Sequence, residues 1–237
     1  SKGWGYLMIQ NQREYDSLYN QFQTDLTVFK TNNGLSAAVY TQITDVETEL
    51  NGLLTYDRAV VKGDLQKIRA SNLRTIEKEL YLSTVLPTSE KEGRNWKYTF
   101  EKTSDGNWYT KKFDDANWKT GEAGFGTKGT PGAVVRTVWN TNDIWIRQEF
   151  SLGSLSGIDR NNLVLYLHHD DDCEVYINGV KATDPKNYTS GYAMTQISKA
   201  AKNALIANGK NVIAIHCHQK EGGQYIDAGI SVVSDHK

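Results

Sequence analysis

Residues 165–180, LYLHHDDDCEVYINGV, constrain the fold of this chain most strongly. Apolar side chains alternate with other side chains on both sides of the acidic run 170–172, which predicts one strand before this run and another after it. Asn178-Gly179 then predicts a tight hairpin turn, because both residue types tolerate positive φ. The order strand, acidic corner, strand, turn indicates the centre of an all-β domain.

The second half of the chain repeats this pattern in short alternating runs separated by Gly, Asn and Asp. Such spacing predicts an antiparallel β-sandwich or jelly roll. Residues 197–207 are predicted to form a short helix or turn. The predicted strands are 96–100, 144–150, 163–168, 173–177, 212–218 and 228–233.

The first part of the chain has a different, α/β pattern. Apolar side chains recur at helical spacing in residues 10–30, and Gly34 is suited to end that helix. The small, apolar run 35–41 predicts a strand buried on both faces, as in a parallel sheet. A polar loop, 42–57, follows, and Asp64 is predicted to cap a second helix.

A single strand of this kind cannot close a parallel sheet, because both of its edges would lack partners. We therefore expect the first part to belong to a larger α/β domain whose earlier part is absent here. The apolar face of the first helix also needs cover. We expect the sandwich, the second helix or a second copy of the chain, in a homodimer, to provide it. That face consists of Tyr15, Leu18, Tyr19, Phe22, Leu26 and Phe29.

Charge and composition exclude several classes of function. The formal net charge of −1, from 27 basic and 28 acidic side chains, does not indicate a nucleic-acid partner. No apolar run reaches the roughly 18 residues of a membrane-spanning helix. Two cysteines, Cys173 and Cys217, do not make a disulfide framework.

One long string in the first part carries a resemblance. GLSAAVYTQITDVETELNGLLTYDR, residues 34–58, resembles the last strand and following loop of the catalytic barrel in bacterial family two glycoside hydrolases, the β-galactosidase group. The resemblance continues through the flanking helices, over about residues 3–84. It implies that the predicted strand belongs to a barrel of eight alternating strands and helices.

The second half resembles another module, the galactose-binding-like jelly roll that is appended to bacterial hydrolases. The matching strings include NWYTKKFDDANWKTGEAGFG, NDIWIRQEF, LHHDDDCEVYINGV and GKNVIAIHCHQKEGGQYIDAGI, over about residues 96–233. Together the two resemblances imply the end of a (β/α)8 barrel at 1–86 and a β-sandwich at 87–237. They imply no particular sugar.

The resemblance implies a part of a secreted or periplasmic glycosidase that acts on carbohydrate. In this family the two catalytic carboxylates stand at the ends of barrel strands four and seven, and neither strand is present here. No catalytic residue is therefore assigned, and we expect this chain alone to be inactive. The alternatives are that the sandwich is a non-catalytic carbohydrate-binding module, or a structural spacer that packs on the barrel.

Four polar residues of the first loop would lie at the catalytic face of the intact barrel: Gln42, Asp45, Glu47 and Asn51. The resemblance implies that they bind sugar hydroxyls at its rim. The alternative is that they close the loop with hydrogen bonds and solvated charge.

Two tryptophans are candidates for a sugar platform in the sandwich. Trp139 and Trp145 follow the Gly-rich loop 124–132, which could shape such a platform. Aromatic rings stack on the C–H faces of sugars, although burial in the core is the commoner role of tryptophan.

Metal sites are also considered, and no metal-binding residue is assigned. His168 and His169 could join His216 and His218 in a zinc site only if their two strands pair in register. Asp114 and Asp115 supply the oxygen ligands that a structural calcium ion takes, and the simpler alternative is that they make a turn before Trp118. No other cofactor is expected.

Overall fold

The computed structural model describes residues 8–102, 106–153 and 159–235. These residues divide into two compact units, residues 8–82 with 234–235 and residues 83–233. No helix in the described ranges is long and apolar enough to cross a membrane. The assignment of domains to 1–86 and 87–237 stays a prediction.

Two helices form most of the first unit. The first, α1 (Gln12–Asn33), begins at Asn11, whose side chain accepts a hydrogen bond from a backbone N–H of the first turn, and ends at Gly34 with φ of 73°. The second, α2 (Leu65–Glu77), is capped by the carboxylate of Asp64. The structure confirms both predicted helices and the predicted residues at their ends.

Polar contacts join α1 to α2. The hydroxyl of Tyr19 donates to Asn72 Oδ1 at 2.8 Å, and Lys67 Nζ lies 2.8 Å from Asp16 Oδ2. The ammonium group of Lys30 donates to three carbonyl oxygens at the end of α2 and just beyond it. Tyr19 is the residue of the predicted apolar face that these contacts involve, and it is 7% exposed, whereas Phe22 of the same face is 50% exposed.

The predicted strand at 35–41 is wrong: no strand forms there within the residues that the structure describes. This segment is exposed, and Val39 retains 88% of its accessible surface. A strand exists only through hydrogen bonds to a neighbouring strand, and no described segment pairs with this one. The loop that follows is held by isolated bridges, Thr44 to Leu54 and Val46 to Glu49.

The described part of the second unit is built from β-strands, with a short α-helix, α3 (Lys199–Asn203), inside the predicted 197–207, and a 3-10 helix at Arg160–Asn162. The strands of the described residues, in chain order, are β1 (Tyr81–Leu86), β2 (Asn95–Thr99), β3 (Lys119–Glu122), β4 (Phe125–Gly126), β5 (Thr137–Val138), β6 (Asp143–Ser151), β7 (Leu163–Asp170), β8 (Asp172–Ile177), β9 (Val180–Thr183), β10 (Ala193–Gln196), β11 (Lys210–His218) and β12 (Tyr225–Ser234).

Two sheets contain these strands. The first sheet has the order β10-β7-β12-β4-β5, with β1 also paired to β12, and the second has the order β3-β2-β6-β11-β8-β9. In the first sheet β12 pairs antiparallel with β7 and β4, β7 pairs antiparallel with β10, and the short pair β4–β5 is parallel. The pairs of the second sheet are antiparallel. The inner faces of the two sheets share one hydrophobic core, so the prediction of an antiparallel β-sandwich is confirmed.

The acidic run at 170–172 connects a strand of the first sheet to a strand of the second. Strand β7 ends at Asp170 in the first sheet, and β8 begins at Asp172 in the second. The predicted turn follows β8, with φ of 49° at Asn178 and 90° at Gly179. This turn returns the chain as β9 along the edge of the second sheet.

Candidate functional site

The outer face of the second sheet carries the candidate site. On β11, His216 lies opposite Trp145 of β6 and opposite Glu174 of β8. The adjacent residue Ile215 lies opposite Ile146, and both belong to the core. Because side chains alternate along a strand, His216 and its two neighbours project away from the core.

Aromatic rings cover this outer face. Tyr109 stacks on Tyr176, with ring centroids 4.4 Å apart and planes 16° apart. Trp108 meets Tyr176 and His216 edge-on, at centroid distances of 5.7 and 6.4 Å. All four residues are half-buried. We call Trp108, Tyr109, Tyr176 and His216 the aromatic surface.

A carboxylate joins two histidines beside the aromatic surface. Asp143 Oδ1 lies 2.7 Å from His216 Nε2 and 2.9 Å from His218 Nδ1. Burial acts to raise the pKa of Asp143, but the hydrogen bonds from His218 and His216 outweigh it and hold the pKa below its usual value. Asp143 is therefore an anion that accepts both bonds, and each ring donates an N–H to it.

A second carboxylate lies at the other side of the aromatic surface. Glu174 accepts a hydrogen bond from the Tyr176 hydroxyl at 3.2 Å and pairs with Lys181 at 3.0 Å. Burial, together with the negative charge of Glu174, raises the pKa of Tyr176. Lys181 Nζ also lies 3.1 Å from Asp184 Oδ2 and 5.7 Å from the centre of the Tyr176 ring, so its charge is shared between two carboxylates and an aromatic face.

A buried arginine on β6 holds the loop that supplies Trp108 and Tyr109. Arg147 is 3% exposed, and its Nε donates to Asp115 Oδ2 at 2.8 Å. Its Nη1 donates to the carbonyl oxygens of Trp108 and Thr110. The guanidinium carbon also lies 5.2 Å from the ring centre of Phe113. Residues 107–118 are thus fixed across the sheet by one side chain that meets several acceptors.

These features combine ring faces with fixed polar groups on one partly exposed surface. The rings can stack on an apolar face of a ligand, while the carboxylates, imidazoles and the ammonium group can bond its hydroxyls. Such a surface suits a ligand that has both apolar C–H faces and many hydroxyl groups.

The structure separates the two predicted tryptophans. Trp145 is 6% exposed and lies beneath His216, so it forms the floor of the aromatic surface. Trp139 is fully buried in the core, and its Nε1 donates to Thr141 Oγ1 at 3.1 Å. Trp139 therefore offers no ring face to a ligand, because packing between the two sheets covers it.

The predicted rim residues lie together in the first unit, and three of them make hydrogen bonds there. Asp45 is 4% exposed, and its Oδ1 accepts bonds from Gly52 N at 2.9 Å and from Lys62 Nζ at 2.5 Å. The amide of Gln42 donates to Asn51 Oδ1 at 3.2 Å. Glu47 is exposed, with φ of 51°. Their role in sugar binding stays a prediction.

The histidine strands considered for zinc do not pair. His168 and His169 lie on β7 in the first sheet, whereas His216 and His218 lie on β11 in the second. No group of three or more His, Cys, Asp or Glu side chains in the described ranges could hold a metal ion.

The two aspartates considered for calcium both have partners. Asp114 accepts a bond from Ala116 N at 2.9 Å, as in a turn, and Asp115 pairs with Arg147. These contacts are those of the simpler alternative, an aspartate turn that precedes Trp118. A structural calcium ion at these residues stays a prediction.

No pattern in the sequence singles out Tyr109, Tyr176 or Asp143 as site residues. The alternation in 173–177 predicts that Tyr176 lies on the other face of its strand from the apolar residues. This pattern is the signal by which Tyr176 could have been identified. The position of Tyr109 depends on a loop that folds over the sheet, and no local pattern reports such a fold.

Solved glycosidase structures resemble parts of this chain. A β-glucuronidase from Bacteroides uniformis matches at 13% identity with a TM-score of 0.44, covering 65% of this chain and 18% of that one. A glycosyl hydrolase family 2 member from Bacteroides cellulosilyticus matches at 13% identity and 0.40, covering 60% and 20%. A β-glucuronidase from Ruminococcus gnavus matches at 11% identity and 0.41, covering 66% and 29%.

This chain therefore spans less than a third of the length of each of these three proteins. No model of a protein family matches the chain, and no curated protein does either.

Proposed function

We propose that this chain is part of a carbohydrate-active enzyme, a family two glycoside hydrolase of the β-galactosidase type, and that its β-sandwich binds carbohydrate. The observation that carries the proposal is the aromatic surface, flanked by Asp143 and by Glu174 with Lys181. The long sequence resemblance in residues 34–58 supports the enzyme part of the proposal. We place the parent enzyme in the periplasm or outside the cell.

The chemistry of the aromatic surface fits a sugar ring. A pyranose has C–H bonds that stack on an aromatic face and hydroxyls that need partners in a defined plane. Here the stacked pair Tyr109 and Tyr176 supplies the face, and charged groups on both sides supply the partners. The buried anchor Arg147 holds the loop before any ligand arrives, which lowers the entropic cost of binding.

The first unit supports the inference of a missing partner. Most of the large apolar side chains that are exposed in the described ranges belong to it, including Val39 at 88% and Tyr56 at 71%. A groove of about 730 Å³ opens between α1, α2 and residues 35–40, lined by Phe22 and Phe29. Apolar surface of this kind is expected where another part of a protein packs.

In the proposed parent enzyme, the rest of the barrel would cover the apolar surface of the first unit. A homodimer through this unit is the alternative, and light scattering of the purified chain distinguishes the two. We expect no hydrolysis of aryl glycosides by this chain alone, because it contains neither of the strands that the resemblance makes catalytic.

The second candidate function is a structural spacer without a ligand. The observation that favours it is that the rings of the aromatic surface pack on each other, as residues of a small core do. The two candidates differ in a measurable way, because only a binding site loses affinity when a ring is removed without loss of folding.

A glycan-binding experiment tests the proposal. The chain is screened on an array of plant, bacterial and host glycans, and any hit is titrated by calorimetry. We expect Trp108→Ala and Tyr109→Ala to weaken binding about tenfold or more. The matched control is Tyr188→Ala, which removes an aromatic ring that is 67% exposed and outside the aromatic surface.

Thermal unfolding of each variant shows that it is folded. A wild-type chain that binds no glycan on the array, or variants of the aromatic surface that bind as tightly as the control, would favour the spacer.

A further inference from the structure

The two cysteines of the chain lie directly opposite each other on neighbouring strands. Cys173 of β8 and Cys217 of β11 are Cα partners in an antiparallel pair. They are 1% and 0% exposed, and both belong to the core between the sheets. Their side chains therefore project from the same face of the same sheet and lie side by side.

The backbone around Cys173 shows which kind of pair this is. Its N–H donates to the carbonyl oxygen of Pro185 at 3.1 Å, so it points away from β11. Cys173 therefore does not exchange backbone hydrogen bonds with Cys217. This is the defining property of a non-hydrogen-bonded pair in an antiparallel ladder.

The other end of the same ladder gives the same answer. Asn178 N donates to Val212 O at 2.9 Å, just beyond the pair Ile177–Ile213. A bond at that position makes Ile177–Ile213 a non-hydrogen-bonded pair. The two kinds of pair alternate along the strands, so the cysteine pair, four residues further on, is of the same kind.

Cα atoms in such a pair are about 4.5 Å apart, and the side chains approach more closely than in the other kind. Disulfides require Cα separations of roughly 4.4–6.8 Å, and the separation typical of this kind of pair lies within that range, although both thiols are free in this structure. We propose that Cys173 and Cys217 form a cross-strand disulfide when the chain folds in an oxidising compartment.

The reaction is thiol–disulfide exchange with a small-molecule disulfide such as oxidised glutathione. One cysteine thiolate attacks the disulfide and releases one glutathione thiol, and the other cysteine then displaces the second. The two cysteines are oxidised and the glutathione disulfide is reduced. The two protons lost by the cysteines end on the two released thiols.

The disulfide has to form before the core closes. Burial raises the pKa of both thiols, and the thiolate is the form that attacks. Once the sheets have packed, both sulfur atoms are shielded from a disulfide in solution. Oxidation therefore belongs to folding, and the finished bond is protected from reduction in the folded protein.

The bond would fix the strands that carry the aromatic surface. Glu174 follows Cys173 in β8, and His216 precedes Cys217 in β11, and these two side chains lie opposite each other on the outer face. The disulfide would tie β8 to β11 immediately beneath them. This inference does not rest on what the aromatic surface binds.

Refolding tests the proposal with the unaltered chain. Protein in denaturant is reduced, refolded in a mixture of reduced and oxidised glutathione, denatured again and treated with a maleimide. We expect no label and a mass lower by two hydrogen atoms, with a cross-linked peptide that contains Cys173 and Cys217. Protein refolded with reductant should take two labels.

The thermal midpoint supplies the second readout. The oxidised chain should melt about 5–15 °C above the reduced chain, since the bond restricts the unfolded chain. The double variant Cys173→Ala/Cys217→Ala should show no difference between the two buffers. Two free thiols after oxidative refolding to the folded state, a mixed disulfide with glutathione only, or a midpoint that does not rise would each overturn the proposal.

Discussion

His216 lies flat against Trp145, with ring centroids 4.6 Å apart and ring planes 7° apart. The contact explains why Trp145 is only 6% exposed although it projects from the outer face of its sheet. Asp143 holds the imidazole in place through its Nε2 atom. Trp145 is therefore a covered floor, and His216 is the ring that a ligand would meet.

Replacement of His216 by alanine should uncover the indole of Trp145. We expect the tryptophan emission of His216→Ala to shift to longer wavelength, because the ring gains contact with water. The free energy of unfolding should fall by about 1 kcal/mol from the lost ring contact. The shift should vanish in His216→Ala/Trp145→Phe, and a shift that persists there would show that another tryptophan is its source.

The anchor of the loop 107–118 gives a second prediction. Arg147→Met should lower the free energy of unfolding by about 2–3 kcal/mol, measured by urea denaturation, because Asp115 and two carbonyl oxygens lose their donor. Trypsin should also cleave faster after Lys111 and Lys112, which lie in the released loop.

The matched control for Arg147 is Lys210→Ala, which breaks an ion pair between β11 and β6. Lys210 and Glu149 are 74% and 60% exposed, so the loss should stay below about 1 kcal/mol, with trypsin cleavage unchanged. If the two substitutions lowered the free energy of unfolding equally, the burial of Arg147 would not make its contacts stronger than an exposed ion pair.

Much of the sandwich could be predicted because its signals are local. Alternating side chains mark half-buried strands, and Asn178-Gly179 marks a turn that needs positive φ at both positions. The prediction of a strand at 35–41 is wrong because strand formation also depends on distant parts of the chain. The apolar pattern of this segment describes a buried strand, but a strand also needs partners, and the sequence of the segment does not contain them.

The candidate site was less predictable, because it depends on contacts between distant parts of the chain. Trp139 and Trp145 are predicted to share one platform because they are close in the sequence. In the fold, Trp139 is buried in the core and Trp145 is covered by His216. Tyr109 reaches Tyr176 on a loop that Arg147 of β6 anchors through the carbonyl oxygens of Trp108 and Thr110. No periodicity in the chain records that anchor.

The Asn178-Gly179 turn gives a third prediction. At Gly179, with φ of 90°, an added Cβ meets no atom closer than 3.5 Å, so the cost of Gly179→Ala is conformational and not steric. We expect a loss of about 1–2 kcal/mol in urea denaturation. Gly191→Ala, where an added Cβ meets nothing within 4 Å and φ is not positive, should stay within about 0.5 kcal/mol. A neutral Gly179→Ala would contradict the positive-φ argument.

The last prediction concerns Asp227, a fully buried carboxyl group on β12. Its Oδ2 accepts bonds from Ser89 N at 2.6 Å and from the Tyr192 hydroxyl at 2.5 Å. Burial raises the pKa of Asp227 to about 6, although both hydrogen bonds act to lower it. In the unfolded chain the pKa returns to its ordinary value near 4.

Between pH 4 and 6, the folded chain keeps a proton on Asp227 that the unfolded chain has lost. The contribution of Asp227 to the free energy of unfolding is therefore fully present below pH 4 and is lost as pH rises through 6. The loss is at most about 3 kcal/mol. Urea denaturation at a series of pH values should show a shallower fall for Asp227→Asn than for the wild type. Tyr192→Phe removes a hydrogen bond that lowers the pKa of Asp227. The stability of this variant should therefore go on falling to a higher pH than that of the wild type. Parallel curves for the wild type and Asp227→Asn would show that Asp227 titrates alike in both states.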